Sequence, residues 1–171
     1  MCSLISDTES EVLVRSSRAS AILDELHVPF VINQNRYSIF DRKIEQNGLK
    51  KTSVALGRGI IAFSPLAQGL LTDRYLGGVP DDSRVKTDGR FLTEKSLTED
   101  KLAKIRALNE VAQNRGQTLA QMALAWVLRD GQVTSVLVGA SKASQILDNI
   151  GAVKNISFTA EELALIDRIS L

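Results

Sequence analysis

The sequence is poor in the residue types that build covalent and metal-bound sites. Cys2 is the only cysteine and His27 the only histidine in 171 residues. A single cysteine excludes an internal disulfide and fits a reducing compartment. No His, Cys and carboxylate cluster has metal-ligand spacing, so no metal is predicted. We interpret Cys2 as part of a frayed terminus and His27 as a charge partner at a helix end.

The sequence also lacks an excess of either charge and any long apolar run. Its 21 basic and 20 acidic residues give a net charge of +1. That balance does not provide the basic field of a nucleic-acid or membrane-surface protein, so neither partner is predicted. No apolar stretch approaches the ~18 residues that span a bilayer. The first twenty residues carry Asp7, Glu9 and Glu11 instead of a signal-peptide core, so a cytoplasmic location is predicted.

Three short apolar stretches, residues 30–34, 60–63 and 133–138, are the strongest structural signal that is present. Each lies beside a segment of helical periodicity, and the connections are long enough for parallel pairing. The pattern predicts an α/β fold with about three parallel strands and surrounding helices. Ligands of such sheets bind at the carboxyl ends of the strands, which directs attention to the residues that follow each stretch.

Helical spacing predicts helices between and after these strands. Pairs of the type Ser/Thr–x–x–Glu/Gln at Ser96, Thr118 and Thr159 predict the starts of three of them. The first helix is predicted over 17–26, because residues 1–16 show no clear period and are interpreted as an irregular N-terminal segment. The folded unit is therefore predicted over 17–171. Glycine and proline place a long loop over 64–95, and such loops are usually functional or mobile.

The helix after the third strand is predicted over 141–152. Its apolar residues are expected to face the core, because they share one side of the helix. They are Ala143, Ile146, Leu147 and Ile150.

The segment that begins at Gly139 is a candidate phosphate site. A strand ends and a helix begins within three residues, so backbone N–H groups and the helix dipole favour an anion there. Gly139 permits close approach, Ser141 offers a hydroxyl and Lys142 a positive charge. One turn further, three polar side chains are candidates for an adenine edge: Gln145, Asp148 and Asn149. The alternative is a capped helix with a solvated lysine.

Other candidates end or follow the first two strands. The Gln34 amide can pair with a ligand amide, or it can satisfy a loop backbone. Phe63 can stack on a flat ring, although an aromatic residue there is more often part of the core. Arg74 and Arg84 can clamp a diphosphate if the long loop closes, or be ordinary surface residues. Tyr37 has no Lys and His near it in the sequence that would activate it.

Three segments together resemble the C-terminal half of the aldo-keto reductase family. They are PFVINQNRYSIFDR (29–42), IIAFSPLAQGLLTDRY (60–75) and TSVLVGASKASQILDNI (134–150), and the helix TLAQMALAWVL lies between them at matching spacing. The resemblance covers about residues 17–170. It is strongest to the branch with bacterial glyceraldehyde-phosphate-type reductases and potassium-channel beta subunits. It implies the C-terminal half of a (β/α)8 TIM barrel that binds NADP(H) at its carboxyl face.

The resemblance also implies a role for each candidate. Gln34 would hold the nicotinamide amide and Phe63 would pack on its ring. The pyrophosphate path would be lined by Ser64, Pro65, Leu66 and Gly69, with Arg74 and Arg84 on the closing loop. The 2′-phosphate would lie on Gly139, Ser141 and Lys142, and the adenine on Gln145, Asp148 and Asn149. Many members have Arg where this chain has Lys142, and Lys gives up the bidentate fork.

The family's catalytic Tyr, Lys, Asp and His belong to the first half of the barrel, which this sequence does not match. The resemblance therefore predicts no catalytic residue here. Two functions stay open. One is the cofactor-binding half of an NADP(H)-dependent oxidoreductase that reduces aldehydes or ketones. The other is a non-catalytic NADP-binding or interaction fragment that pairs with another chain, as a homo-oligomer or with a complementary half-barrel.

Overall fold

A small parallel sheet forms the centre of the fold. The computed structural model describes residues 7–77 and 97–171, and the side chains of the first helix from residue 14 onward. In these ranges three parallel strands pair in the order β1–β2–β3. They are β1 (Ile32–Arg36), β2 (Gly59–Phe63) and β3 (Ser135–Leu137). The predicted α/β architecture with three parallel strands is confirmed.

Seven α-helices accompany the sheet in the described ranges. They are α1 (Asp7–Glu25), α2 (Lys43–Gln46), α3 (Leu49–Ala55), α4 (Glu99–Asn114), α5 (Leu119–Leu128), α6 (Ala143–Ile150) and α7 (Ala160–Ser170). Short 3-10 helices lie at Ala67–Gly69, Asp73–Tyr75 and Gly151–Lys154. None of these helices has both the length and the apolar character needed to cross a bilayer.

Threonine side chains cap three of the helices. The predicted capping boxes at Thr118 and Thr159 are confirmed, since both helices follow those residues directly. Helix α4 begins two residues later than predicted, after Thr98, whose hydroxyl accepts a hydrogen bond from the Lys101 N–H at 3.2 Å. Ser96 lies outside the described residues. Capped starts fix where each helix enters the core.

The helices bury only one face of the sheet. Ile60 and Ala62 of β2 are fully buried, and they face the apolar stripe of α5 that includes Met122 and Trp126. Alternate residues of a strand point to opposite faces. On the other face Ile61 and Phe63 are half-buried, and the residues of β1 that share that face are exposed. The predicted α5 core stripe is confirmed. No described element covers the opposite face of the sheet, which is called the open face below.

Two predicted boundaries are wrong. Strand β1 begins at Ile32 rather than Phe30, so its polar residues lie inside the strand. Helix α1 begins at Asp7, so residues 7–16 are helical rather than irregular. The periodic signal failed there because the segment has few apolar residues.

The predicted inward face of α6 is also wrong. Leu147 is 72% exposed and Ile150 57% exposed, and Ile146 is exposed as well. Ala143, the fourth member of the predicted face, is exposed too. Periodicity identifies the apolar side of a helix, but it does not supply the element that covers it. Within the described ranges, nothing covers this side of α6.

Arg58 joins α1 to the sheet at the amino ends of the strands. Its guanidinium donates to the Phe30 carbonyl at 2.7 Å, to the Ser20 hydroxyl at 3.1 Å and to Asp24 at 2.6 Å. It also lies 5.5 Å from the centre of the Phe30 ring. Because a single side chain meets three partners on two segments, it holds α1 against the start of β1.

Replacing Arg58 by Ala therefore destabilises the fold. We expect the free energy of unfolding to fall by about 1–2 kcal/mol, since Asp24 is largely exposed and the ion pair is screened. Urea denaturation followed by circular dichroism measures the change. Arg18→Ala, on the exposed side of α1, is the matched control and should leave the midpoint in place. Equal losses in the two variants would contradict the role of Arg58.

Candidate functional site

The carboxyl ends of the strands bring predicted site residues onto the open face. Phe63 is in register with Arg36 on one side and Leu137 on the other, and Gln34 is paired with Ile61 one row below. Residues in register share a face, and so do residues two apart on a strand. Gln34 and Phe63 therefore lie in adjacent rows of the same uncovered face. Because β1 runs from Ile32 to Arg36 and not over 30–34, Gln34 lies in the middle of the strand rather than at its end.

The Gln34 side chain is exposed and has no hydrogen bond to any described residue. The alternative prediction, in which the Gln34 amide satisfies a loop backbone, is therefore wrong for the described residues. Both its N–H donors and its carbonyl acceptor are available to a ligand.

Arg36 is a residue of this face that sequence analysis missed. Its guanidinium carbon lies 5.8 Å from the centre of the Phe63 ring, which is cation–π distance. The charge thus stands beside the aromatic residue predicted to meet the nicotinamide. The signal was available in the sequence, because Arg36 follows Gln34 by two residues and must share its face in a strand.

The turn after β2 has an unusual backbone. Ser64, Ala67 and Gln68 have positive φ angles of 52°, 48° and 62°, and Gly69 has 93°. Non-glycine residues adopt this region rarely, and each costs about 1–2 kcal/mol. Backbone strain of this kind concentrates at functional sites. The turn is braced from within, because the Gln68 side-chain amide donates to the Ser64 hydroxyl at 3.0 Å.

The residues predicted to line a pyrophosphate path differ in their exposure. Ser64 and Gly69 are half-buried at the surface of the turn. Pro65 is buried, and Leu66 packs partly against the core, so these two shape the turn from below. The structure places the four residues in one continuous turn at the carboxyl end of β2.

Arg74 follows this turn and is tied to it. It lies in the 3-10 helix Asp73–Tyr75 and is half-buried. Thr72 begins that helix, and its hydroxyl donates to the Gly69 carbonyl at 2.7 Å and accepts from the Arg74 N–H at 3.3 Å. Arg84 lies outside the described residues.

The start of α6 has features of both interpretations of the Gly139 segment, the phosphate site and the capped helix with a solvated lysine. Gly139, Ser141 and Lys142 are exposed, and nothing lies within 4 Å of the position of a Cβ on Gly139. The Gln145 side-chain oxygen accepts from the Ser141 N–H at 2.9 Å and from the Lys142 N–H at 3.3 Å. The donors predicted for phosphate are therefore capped by Gln145. The Lys142 ammonium makes no ion pair with a described residue.

The two other predicted adenine residues have different surroundings. Asp148 accepts hydrogen bonds from Thr118 at 3.0 Å and from Gln121 at 2.8 Å. Asn149 is half-buried, and its side chain makes no hydrogen bond among the described residues. Sequence analysis explained Thr118 and Gln121 as a capping box and did not connect them to Asp148.

A second polar cluster contains a tyrosine, a lysine and two acids. The Tyr37 hydroxyl donates to Glu45, and it accepts from Lys50 at 3.3 Å and from Arg129 at 3.0 Å. Lys50 in turn lies 2.5 Å from Asp130. The sequence predicted no lysine and histidine near Tyr37, but the fold brings Lys50 to its hydroxyl without a histidine. Tyr, Lys and Asp are each residue types that serve as general acids or bases.

The geometry excludes Tyr37 as a substrate acid. Its side chain is 0% exposed, and Tyr75 is buried as well, so neither tyrosine reaches the open face. Burial raises the pKa of Tyr37, and the hydrogen bond to Glu45 raises it further against the opposing charge of Arg129. The cluster is a stabilising network. In the described ranges no three ligand-type side chains cluster to hold a metal ion.

The two acids of this network couple stability to pH. Burial favours a higher pKa for Glu45, but hydrogen bonds from Tyr37 and Arg129 outweigh it and lower the pKa. Burial also favours a higher pKa for Asp130, but the hydrogen bond from Lys50 outweighs it, so the pKa of Asp130 is lowered. The folded state therefore binds fewer protons than the unfolded state in acid. The stabilisation is complete above the ordinary carboxyl pKa of ~4 and is lost as pH falls through the lowered folded values.

Glu45→Gln tests this coupling. We expect the free energy of unfolding to fall by about 2 kcal/mol at pH 7, because Arg129 and Lys50 lose the negative charge that they face. On acidification the variant should lose less stability than the wild type does. Urea midpoints at pH 7 and at about pH 2.5 measure both changes, because the coupling is lost only below the ordinary carboxyl pKa of ~4. Glu110→Gln, at an exposed site of α4, should retain the wild-type pH dependence. An unchanged pH dependence in Glu45→Gln would refute the assignment.

Comparisons with known proteins agree on one family. The model of the Aldo/keto reductase family matches residues 6–171. The chain is 50% identical over 157 residues to an L-glyceraldehyde 3-phosphate reductase of Escherichia coli O157:H7, covering 90% of this chain and 45% of that protein. It is 37% identical to a probable voltage-gated potassium channel subunit beta of Oryza sativa subsp. japonica, covering 81% and 42%.

Solved structures show the same fold. A glycerol dehydrogenase from Gluconobacter oxydans aligns with a TM-score of 0.68 at 26% identity, covering 89% of this chain and 45% of that one. The chain thus spans less than half the length of the curated relatives that it matches. From the extent of the family match and the identity to its relatives, the chain belongs to the aldo/keto reductase family.

Proposed function

We propose that this chain is the cofactor-binding part of an NADP(H)-dependent oxidoreductase that reduces aldehydes or ketones. The observation that carries the proposal is the unpartnered Gln34 amide beside Phe63 on the uncovered face of the sheet. A primary amide is complementary to the nicotinamide carboxamide, and an aromatic ring is complementary to its flat face. Membership of the family supports this choice of ligand.

The other end of the cofactor would lie at the start of α6. The exposed Lys142 ammonium and Ser141 hydroxyl fit a phosphate monoester, which distinguishes NADP(H) from NAD(H). The N–H groups of Ser141 and Lys142 donate to the Gln145 side-chain oxygen, so the phosphate would replace this oxygen as their acceptor. The strained turn Ser64–Gly69 lies at the end of the central strand, between these two ends.

This chain would bind and orient the cofactor but not protonate the substrate. The bound cofactor would supply the hydride. A carbonyl also needs a proton donor at its oxygen, and both tyrosines of the sequence are buried away from the open face. Turnover would therefore depend on an acid from the remainder of a barrel. The name of the relative in Escherichia coli favours a small phosphorylated aldehyde, and Arg36 would supply charge for such a substrate.

Ligand-dependent unfolding tests the proposal. We expect NADPH at ~100 times its dissociation constant to add about 2.7 kcal/mol of apparent stability, and NADH to add much less. Lys142→Ala should reduce the NADPH shift to the level of NADH, because the 2′-phosphate loses its cation. Lys154→Ala, an exposed lysine just beyond α6, is the matched control. A melt that NADPH does not raise would overturn the proposal.

A second candidate function is association with another chain, and the exposed apolar residues of α6 favour it. Leu147 and Ile150 face away from every described element, Leu137 is exposed on β3, and neither edge strand pairs with another described segment. Open parallel edges invite pairing. A TIM barrel has eight strands, and the sheet of the described residues has three. The partner we propose is therefore the complementary five-stranded part of an aldo-keto reductase barrel.

Complementation tests this second candidate. The purified chain is mixed with the unmatched amino-terminal part of the Escherichia coli relative, and complex formation is followed by analytical ultracentrifugation. We expect a one-to-one complex that Leu147→Lys weakens at least tenfold, because a charge would be buried in the interface. Ser144→Lys on the same helix is the control. A chain that forms only dimers with itself, or no complex, would contradict this partner.

A further inference from the structure

The carboxylate of Asp148 is held from the start of the neighbouring helix α5. Its Oδ1 accepts from the Gln121 side-chain amide at 2.8 Å, and its Oδ2 accepts from the Thr118 hydroxyl at 3.0 Å. The same Gln121 amide also donates to the Asp148 backbone carbonyl at 3.0 Å. Both oxygens of one carboxylate, and the backbone behind it, are thus fixed by two side chains.

The capping box of α5 determines how these two side chains point. The Gln121 amide oxygen accepts from the Thr118 N–H at 3.3 Å, so the amide nitrogen is directed to Asp148. The Thr118 hydroxyl oxygen accepts from the Gln121 N–H at 3.2 Å, so its single proton is free to be donated to Asp148. The helix cap uses only the oxygen acceptors of the Thr118 and Gln121 side chains. The Thr118 O–H and the Gln121 amide N–H are not needed for the cap, and both donate to Asp148.

Gly151 provides the space for this contact. A Cβ at Gly151 would lie 2.5 Å from the Gln121 amide nitrogen and 3.1 Å from its Cδ. The φ of Gly151 is −57°, which any residue adopts, so the backbone does not require glycine there. A side chain at Gly151 would therefore displace the Gln121 amide from this position.

We propose that Thr118 and Gln121 are positioning residues for Asp148, and that through it they orient the adenosine end of the dinucleotide site. The inference rests on the proposed function. Each carboxylate oxygen accepts one of these hydrogen bonds and keeps capacity for another, so Asp148 can also accept from an adenine amino group. Gly151 admits the amide that does the holding.

Gly151→Ala is the sharpest test, because it displaces the Gln121 amide while leaving both helices able to form. Binding of NADPH and of adenosine 2′,5′-bisphosphate to the full chain is measured by titration calorimetry. We expect Gly151→Ala and Gln121→Leu each to weaken both ligands about tenfold, a loss comparable to one hydrogen bond to a charged group. Gln113→Leu, an exposed glutamine of α4, is the matched control and should bind as wild type.

The Asp148→Ala background separates positioning from general damage. There, adding Gln121→Leu should cause no further loss of affinity for either ligand, because the residue through which it acts is gone. Equal losses with and without Asp148, or full affinity in both Gly151→Ala and Gln121→Leu, would overturn this inference while leaving the proposed function intact. A wild-type chain that binds neither ligand would overturn the proposed function and the inference together.

Discussion

The packing of two guanidinium groups against Trp126 is the interaction on which the covered side of the fold depends. Arg42 lies 4.6 Å and Arg129 3.8 Å from the indole ring, and Tyr37 packs 5.3 Å away. Arg42 continues to Asp167 of α7, and Arg129 continues to Glu45 of α2. The indole N–H has no hydrogen-bond partner among the described residues. Through its contacts with Arg42 and Arg129, the Trp126 ring connects α5 to α7 and α2.

This arrangement separates stability from binding across the sheet. The residues that hold the fold together lie under the helices, where burial strengthens each charge pair. The residues suited to a cofactor lie on the opposite face and at the strand ends, where the backbone is strained and polar groups lack partners. The Tyr37–Lys50–Asp130 chain shows why position matters more than composition. It has the residue types of an acid catalyst, but burial turns it into a structural network.

The start of α6 shows how one residue serves two states. Gln145 caps the N–H groups of Ser141 and Lys142, which would otherwise be unsatisfied at the helix end. The same donors are the natural place for a phosphate, so binding would exchange an internal amide for a ligand oxygen. Asp148, one turn later, is instead held by α5. The polar side of this helix thus combines a replaceable contact with a fixed one.

Local periodicity and short motifs were enough to predict the three parallel strands, the caps at Thr118 and Thr159, the buried stripe of α5 and the family. They could not place the polar start of α1, where few apolar residues mark a period. Three features became visible only in the fold: no described element covers the apolar side of α6, Tyr37 meets Lys50, and Gln121 reaches Asp148. Those contacts join residues far apart in the chain, and packing alone determines which of them meet.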